Sequence, residues 1–147
     1  MKKYNMAVII GRFQPFHLGH LYLIKYATSK ATKIVIFIGS SNVTNVNNPF
    51  SYKKRKKMIE QTLLEHNLSK KVISIIPIKD YPSDTLWLRK VLQKCKHIDV
   101  IIGHNSWVNN LFIEKGYEVI IPPFYKRNIY SGTKIRKNLR KSGKLKS

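Results

Sequence analysis

Gly11-Arg12-Phe13-Gln14-Pro15-Phe16-His17-Leu18-Gly19-His20 stands between an apolar run, Met6-Ala7-Val8-Ile9-Ile10, and an amphipathic segment that begins at Leu18. That order reads as strand, tight turn, helix. Gly11 lets the backbone turn and come close to a ligand. Pro15 forbids a helix through the turn, so the helix starts after it. His17 and His20 share one face of the first helical turn. The unpaired N–H groups of that turn favour an anion. Two imidazoles, Arg12 and a helix N-terminus around one point describe a polyphosphate site. Taken alone, the histidines also fit surface or capping residues, or half of a metal site. A protein-built metal site wants a third ligand, and none stands nearby.

Working outward, Met6–Ile10 shows no alternation and predicts a strand buried on both faces. Leu18–Ser29 predicts a helix with Leu18, Leu21, Ile24 and Ala27 inward, and Lys33–Gly39 a second buried strand. Asn42 to Pro49 is a polar loop long enough to be an active-site segment. Ser51 opens a helix over Tyr52–Glu65 with Met58, Ile59, Thr62 and Leu63 on its apolar face. Its run Lys53-Lys54-Arg55-Lys56-Lys57 reads as a solvated face, or as a nucleic-acid or targeting segment. Then follow strand Val72–Ile78, loop Asp80–Asp84, helix Thr85–Lys94, strand Ile98–Gly103, helix Ser106–Lys115 with Ser106 as cap, and strand Tyr117–Ile121. Ser131 caps a last helix that runs to about Lys141. Strands alternating with helices at this spacing demand a parallel sheet with right-handed crossovers. Ligands then bind at the C-terminal ends of the strands, where the turn after the first strand lies.

The 147 residues fit one domain, 1–147, with 142–147 as a frayed tail. A hydrophobic fraction of 43% marks a globular chain, and no apolar run is long enough to span a bilayer. A lone Cys95 fits a reducing compartment. Met1–Asn5 leads straight into a strand instead of a signal sequence. A cytoplasmic protein without membrane attachment is expected. Lys and Arg number 28 against 7 acids, a net charge of +21. Nonspecific binding of polyanions follows from such a balance. An AT-rich coding bias explains the lysine excess as well, and no nucleic-acid motif accompanies it.

Near the other end, Tyr130-Ser131-Gly132-Thr133-Lys134-Ile135-Arg136 repeats the logic of the first site. Ser131 and Thr133 offer hydroxyls at a helix start, and Arg136 can fork onto phosphate oxygens. Two such helix starts on one sheet edge suit a triphosphate. The first turn resembles the HxGH signature of the nucleotidylyltransferase superfamily. In its longer form, GRFQPFHxGH, it is similar to the archaeal-type nicotinamide-nucleotide adenylyltransferases. Asn48-Pro49-Phe50, Ile76-Pro77-Ile78 with Asp80, Leu86-Trp87, Gly116-Tyr117-Glu118-Val119, Pro122-Pro123 and the SGTxIR ending fall in the order and spacing of that family.

The resemblance implies a Rossmann-like, doubly wound α/β fold whose five parallel strands are ordered 3-2-1-4-5. It implies ATP and nicotinamide mononucleotide (NMN) as substrates, NAD and pyrophosphate as products, and a homo-oligomer. His17, His20 and Arg136 are the implied catalytic residues. Gly11, Arg12, Phe13, Gly19, Ser131 and Thr133 join them at ATP, and Asn47, Asp84, Trp87 and Asn105 contact the mononucleotide. Mg²⁺ is held mainly through the ATP phosphates, since neither motif carries a carboxylate. The chain departs from the family pattern at Asn47, where an arginine is usual, with Lys53, Lys54 or Arg55 as substitutes. It also departs at Asp84, usually Asn, and at His104, usually Gly. Competing readings are a transferase for another phosphorylated acceptor, such as phosphopantetheine or flavin mononucleotide, and a degenerate member that binds nucleic acid.

Overall fold

Strands β1 (Tyr4–Gly11), β2 (Ala31–Ile38), β3 (Val72–Pro77), β4 (Val100–Ile102) and β5 (Val119–Ile120) form one sheet, all pairs parallel, in the order β3-β2-β1-β4-β5. Helices α1 (Leu18–Lys30), α2 (Tyr52–Glu65), α3 (Asp84–Lys94) and α4 (Ser106–Glu114) make the crossovers. The computed structural model describes residues 2–124. The expected last helix, the tail, and Ser131, Thr133 and Arg136 lie outside the described residues.

The continuous apolar strands follow from burial on both faces. Along β1 and β2, Ala7, Ile9, Ile34, Ile36 and Ile38 enter one core with Leu21, Ile24, Ile59 and Leu63 of α1 and α2. Their alternates Val8, Val35 and Phe37 enter the other core with Trp87, Val91, Val108 and Phe112 of α3 and α4. The strand period of two thus feeds two helical layers, and the sheet is wound on both faces. β4 and β5 are shorter than expected, because only Val100–Ile102 and Val119–Ile120 find ladder partners.

The helix starts are set by side-chain caps. Ser51 accepts from the Lys54 N–H, as expected. Ser83 caps α3, so the helix starts at Asp84 instead of Thr85. Asn105, not Ser106, caps α4, its Oδ1 accepting from the Val108 N–H at 3.1 Å. Leu18 is 46% exposed, because it lies on the solvent side of α1's first turn, whereas Ala27 is buried as expected. α4 closes at Gly116, whose φ of +88° suits a residue without Cβ. No helix among the described residues is long and apolar enough to cross a membrane.

Candidate active site

Because all five strands are parallel, their C-terminal ends lie along one edge. β1 ends there in the phosphate-type turn and β2 in Gly39-Ser40. The same edge carries Ile78 and Asp80 after β3, and Gly103 and His104 after β4.

His17 is the N-cap of α1. Its Nδ1 accepts from the Gly19 N–H at 3.0 Å, while His20 Nδ1 accepts from the His17 N–H at 3.1 Å. This is a capping box built from two imidazoles in place of a hydroxyl and a glutamate. It corrects the expectation of open first-turn amides, since the Gly19 and His20 N–H groups are already engaged. An Nδ1 that accepts a hydrogen bond holds a lone pair, so each neutral ring carries its proton on Nε2. The turn therefore presents imidazole N–H donors at the positive end of a helix.

The rings are packed for that task. His17 and His20 lie 3.8 Å apart between centroids. Phe13 meets His20 edge-on at 4.8 Å and Phe16 stacks on it at 5.5 Å. Burial first, and then the neighbouring His17, push the His20 pKa well below its ordinary 6.5. Phe13 is 2% exposed and sits behind His20, so its side chain supports the imidazole from within. Its φ of 54° is left-handed, which swings the ring back over Gly11. A Cβ on Gly11 would stand 3.0 Å from Phe13 Cζ, so glycine is required by this close approach.

Three ties fix the turn to the loop of residues 42–50 and to α2. The Gln14 side chain is buried; its Nε2 donates to the Phe50 carbonyl at 2.9 Å and its Oε1 accepts from the Phe50 N–H at 2.9 Å. Arg12 is exposed and donates to Asn48 Oδ1 at 2.9 Å. Asn47 is exposed beside it, with its N–H bound to Asn45 Oδ1. Sequence reasoning missed the role of Gln14, and it misread Arg55. Far from lying on a solvated face, Arg55 is fully buried, with donors aimed at the carbonyls of Ser51, Arg12, Gly39 and Ser40. It is thereby removed as a substitute for the missing arginine at Asn47, whereas Lys53 and Lys54 are exposed.

The remaining expected residues gather at the starts of α3 and α4. Asp84 is exposed in the first turn of α3, and Ser83 relieves it of capping. Trp87 is 5% exposed, and the half-exposed Trp107 of α4 lies on it at 4.7 Å. A ring that reaches Trp87 must therefore enter beside Trp107. Asn105 caps α4, and buried Asn109 donates to the Gly103 carbonyl, pinning α4 to the end of β4. His104 Nε2 donates to the Pro122 carbonyl at 2.6 Å, and its ring stacks on Phe124 at 3.9 Å. No cluster of three metal-ligating side chains occurs among the described residues.

The profile of the cytidylyltransferase-like family matches residues 8–138. A nicotinamide-nucleotide adenylyltransferase of Methanococcus aeolicus is 42% identical over 134 residues, covering 90% of this chain and 76% of the relative. One of Thermococcus kodakarensis is 35% identical over 133 residues, covering 90% and 71%. The crystal structure of a bifunctional NMN adenylyltransferase/ADP ribose pyrophosphatase from Francisella tularensis, complexed with AMP and a manganese ion, superposes with a TM-score of 0.79 at 36% identity. The match covers 94% of this chain, which spans only 42% of that larger enzyme. By motif, topology and likeness over most of its length, the chain belongs to the cytidylyltransferase-like family and groups within it with the nicotinamide-nucleotide adenylyltransferases.

Proposed function

We propose that the chain transfers the adenylyl group of ATP to the 5′-phosphate of nicotinamide mononucleotide. The observation that carries this reading is the two-imidazole capping box, which fixes both histidines as Nε2–H donors at the end of β1. An oxygen of the mononucleotide phosphate attacks the α-phosphorus of ATP. The bond from that phosphorus to the bridging oxygen breaks, and pyrophosphate leaves with the electron pair. The nucleophile is already an anion at neutral pH, so no general base is required. Catalysis then consists of positioning and of donors aimed at charge that develops on the transferring phosphoryl. His17 and His20 serve the bridging and α-phosphate oxygens, and Arg12 serves the phosphates or the incoming nucleotide. Ser131, Thr133 and Arg136, beyond the described residues, are assigned to ATP, with Thr133 and Arg136 at its β- and γ-phosphates.

Mg²⁺ enters as part of the substrate, bound to the triphosphate. The donor chemistry agrees with this: both Nδ1 lone pairs are occupied by backbone N–H groups and so are not offered to a metal. The mononucleotide is assigned to Asn47, Asp84, Trp87 and Asn105, beside Trp107. One domain working as a homo-oligomer in the cytoplasm, with Cys95 as a free thiol, completes the reading. The test is a panel of acceptors supplied with Mg·ATP and scored for dinucleotide and pyrophosphate. NAD formed from nicotinamide mononucleotide, with phosphopantetheine and flavin mononucleotide inert, is the expected result. Turnover confined to another acceptor would replace the substrate assignment.

A further inference from the structure

Arg55 lies within a run of five cations, yet its side chain is 0% exposed and is the largest fully buried one among the described residues. A buried guanidinium is costly unless it is paired and hydrogen-bonded, and the usual partner is a carboxylate. Among the described residues Arg55 has none within ion-pair distance, and the ion pair found there is Lys3–Glu118. Its partners are backbone carbonyls: Arg12 at 2.9 Å, Gly39 at 2.8 Å, Ser40 at 3.1 Å and Ser51 at 3.3 Å. The first three belong to the segments that leave β1 and β2, beyond the ladder; the Ser40 carbonyl accepts from the Val43 N–H as well.

Two residues of these segments are left-handed without being glycine: Phe13, next to the Arg12 carbonyl, and Ser40, whose own carbonyl Arg55 holds. Such backbone persists only where its surroundings over-determine it. The left-handed turn at Phe13 places the ring that packs on His20. We propose that Arg55 is a positioning residue for the transfer: it binds the β1 and β2 exits to α2 and, through Phe13, fixes the orientation of the His20 imidazole. Lysine, a point charge, cannot serve four carbonyls lying in different directions. The inference rests on the adenylyltransferase reading for its effect on rate, but not for its effect on His20.

The test is Arg55→Lys, examined by thermal melting, by kcat and KM for ATP, and by NMR titration of His20, whose touching titratable neighbour is His17. The expected variant folds and loses roughly ten- to a hundred-fold in kcat, the scale of a small misplacement of reacting groups. Its KM for ATP changes much less, and His20 titrates closer to 6.5. A kcat that falls only with the folded fraction, or an unmoved His20 titration, overturns the proposal. Should Arg55→Lys not fold, Arg55→Ala leaves a void of guanidinium shape. Millimolar guanidinium, and not methylammonium, should restore the His20 titration, and failure to do so overturns the proposal as well. A shifted His20 titration in a protein that turns over no acceptor would instead reject the proposed function and leave this inference standing.

Discussion

His20 is held from three sides, by Phe13, Phe16 and His17, and its Nδ1 is bound to the backbone. It has one donor left to offer, in a place where protonation is resisted. His20→Ala should lower kcat by about 10²–10³-fold, the effect of removing one donor to a developing charge, with less change in ATP binding. An unchanged kcat would end its catalytic assignment. The same burial makes stability depend on pH. As pH falls below 6.5, the unfolded chain takes up a proton that the folded His20 refuses. Stability is therefore full above 6.5 and declines between 6.5 and the lower folded value. Melting curves across that window should show this slope in the parent and lose it in His20→Ala. Asp84 is a separate case. With Ser83 as the cap, its carboxylate is exposed in the first turn of α3, three residues before Trp87. An ionised Asp accepts from a carboxamide N–H and repels a carboxylate. Catalytic efficiency should favour nicotinamide over nicotinate mononucleotide, and Asp84→Asn should narrow the gap. Equal use of both by the parent enzyme would leave Asp84 without a role in selection.

Between elements, the turn is carried by ties to α2 more than by its own sequence. Gln14 pairs with both polar groups of Phe50, one residue before the cap of α2. Gln14→Leu leaves two part-buried backbone groups unpaired, at about 1–3 kcal/mol each. At roughly 2–4 °C per kcal/mol for a chain of this size, Tm should fall well outside error. kcat should fall further than the folded fraction, and a variant with the parent's melting curve would show that the tie bears no load. The element order was legible because apolar runs and helical periods alternate without ambiguity, and α2 was read to both its bounds. The start of α3 and the cap of α4 were each misplaced by one residue. Ser83-Asp84 and Asn105-Ser106 each put two cap-competent side chains in a row, and backbone direction chooses between them. Arg55 was hidden by its neighbours. Its register was still a usable signal, since Arg55, Ile59 and Leu63 recur at four-residue intervals and are all buried on one helix face. Gln14 gave no such signal, because its partner is backbone 36 residues away.

Over the whole molecule, charge is the property least tied to the fold. Twenty-eight cations face seven acids, and the ion pair among the described residues, Lys3–Glu118, is 3.8 Å long between side chains 74% and 52% exposed. Most lysines are thus uncompensated, and their field extends into solvent to a distance set by ionic strength. Both proposed substrates are anions, so the same field should speed their encounter with the sheet edge. Arg55 and the His20 imidazole act from within and are screened much less. These two contributions separate on a salt series. Raising ionic strength from about one-third of physiological to twice physiological, where the Debye length shortens to below 8 Å, should lower kcat/KM for ATP while kcat stays nearly constant. RNA or heparin should inhibit by competition at low salt, without sequence preference, and the inhibition should vanish steeply as salt rises. If kcat falls with kcat/KM, salt is acting on the site itself. If one RNA sequence still binds tightly at physiological salt, the charge serves recognition of nucleic acid, and the basic face of α2, with Lys53, Lys54 and Lys57 exposed, is the first place to mutate.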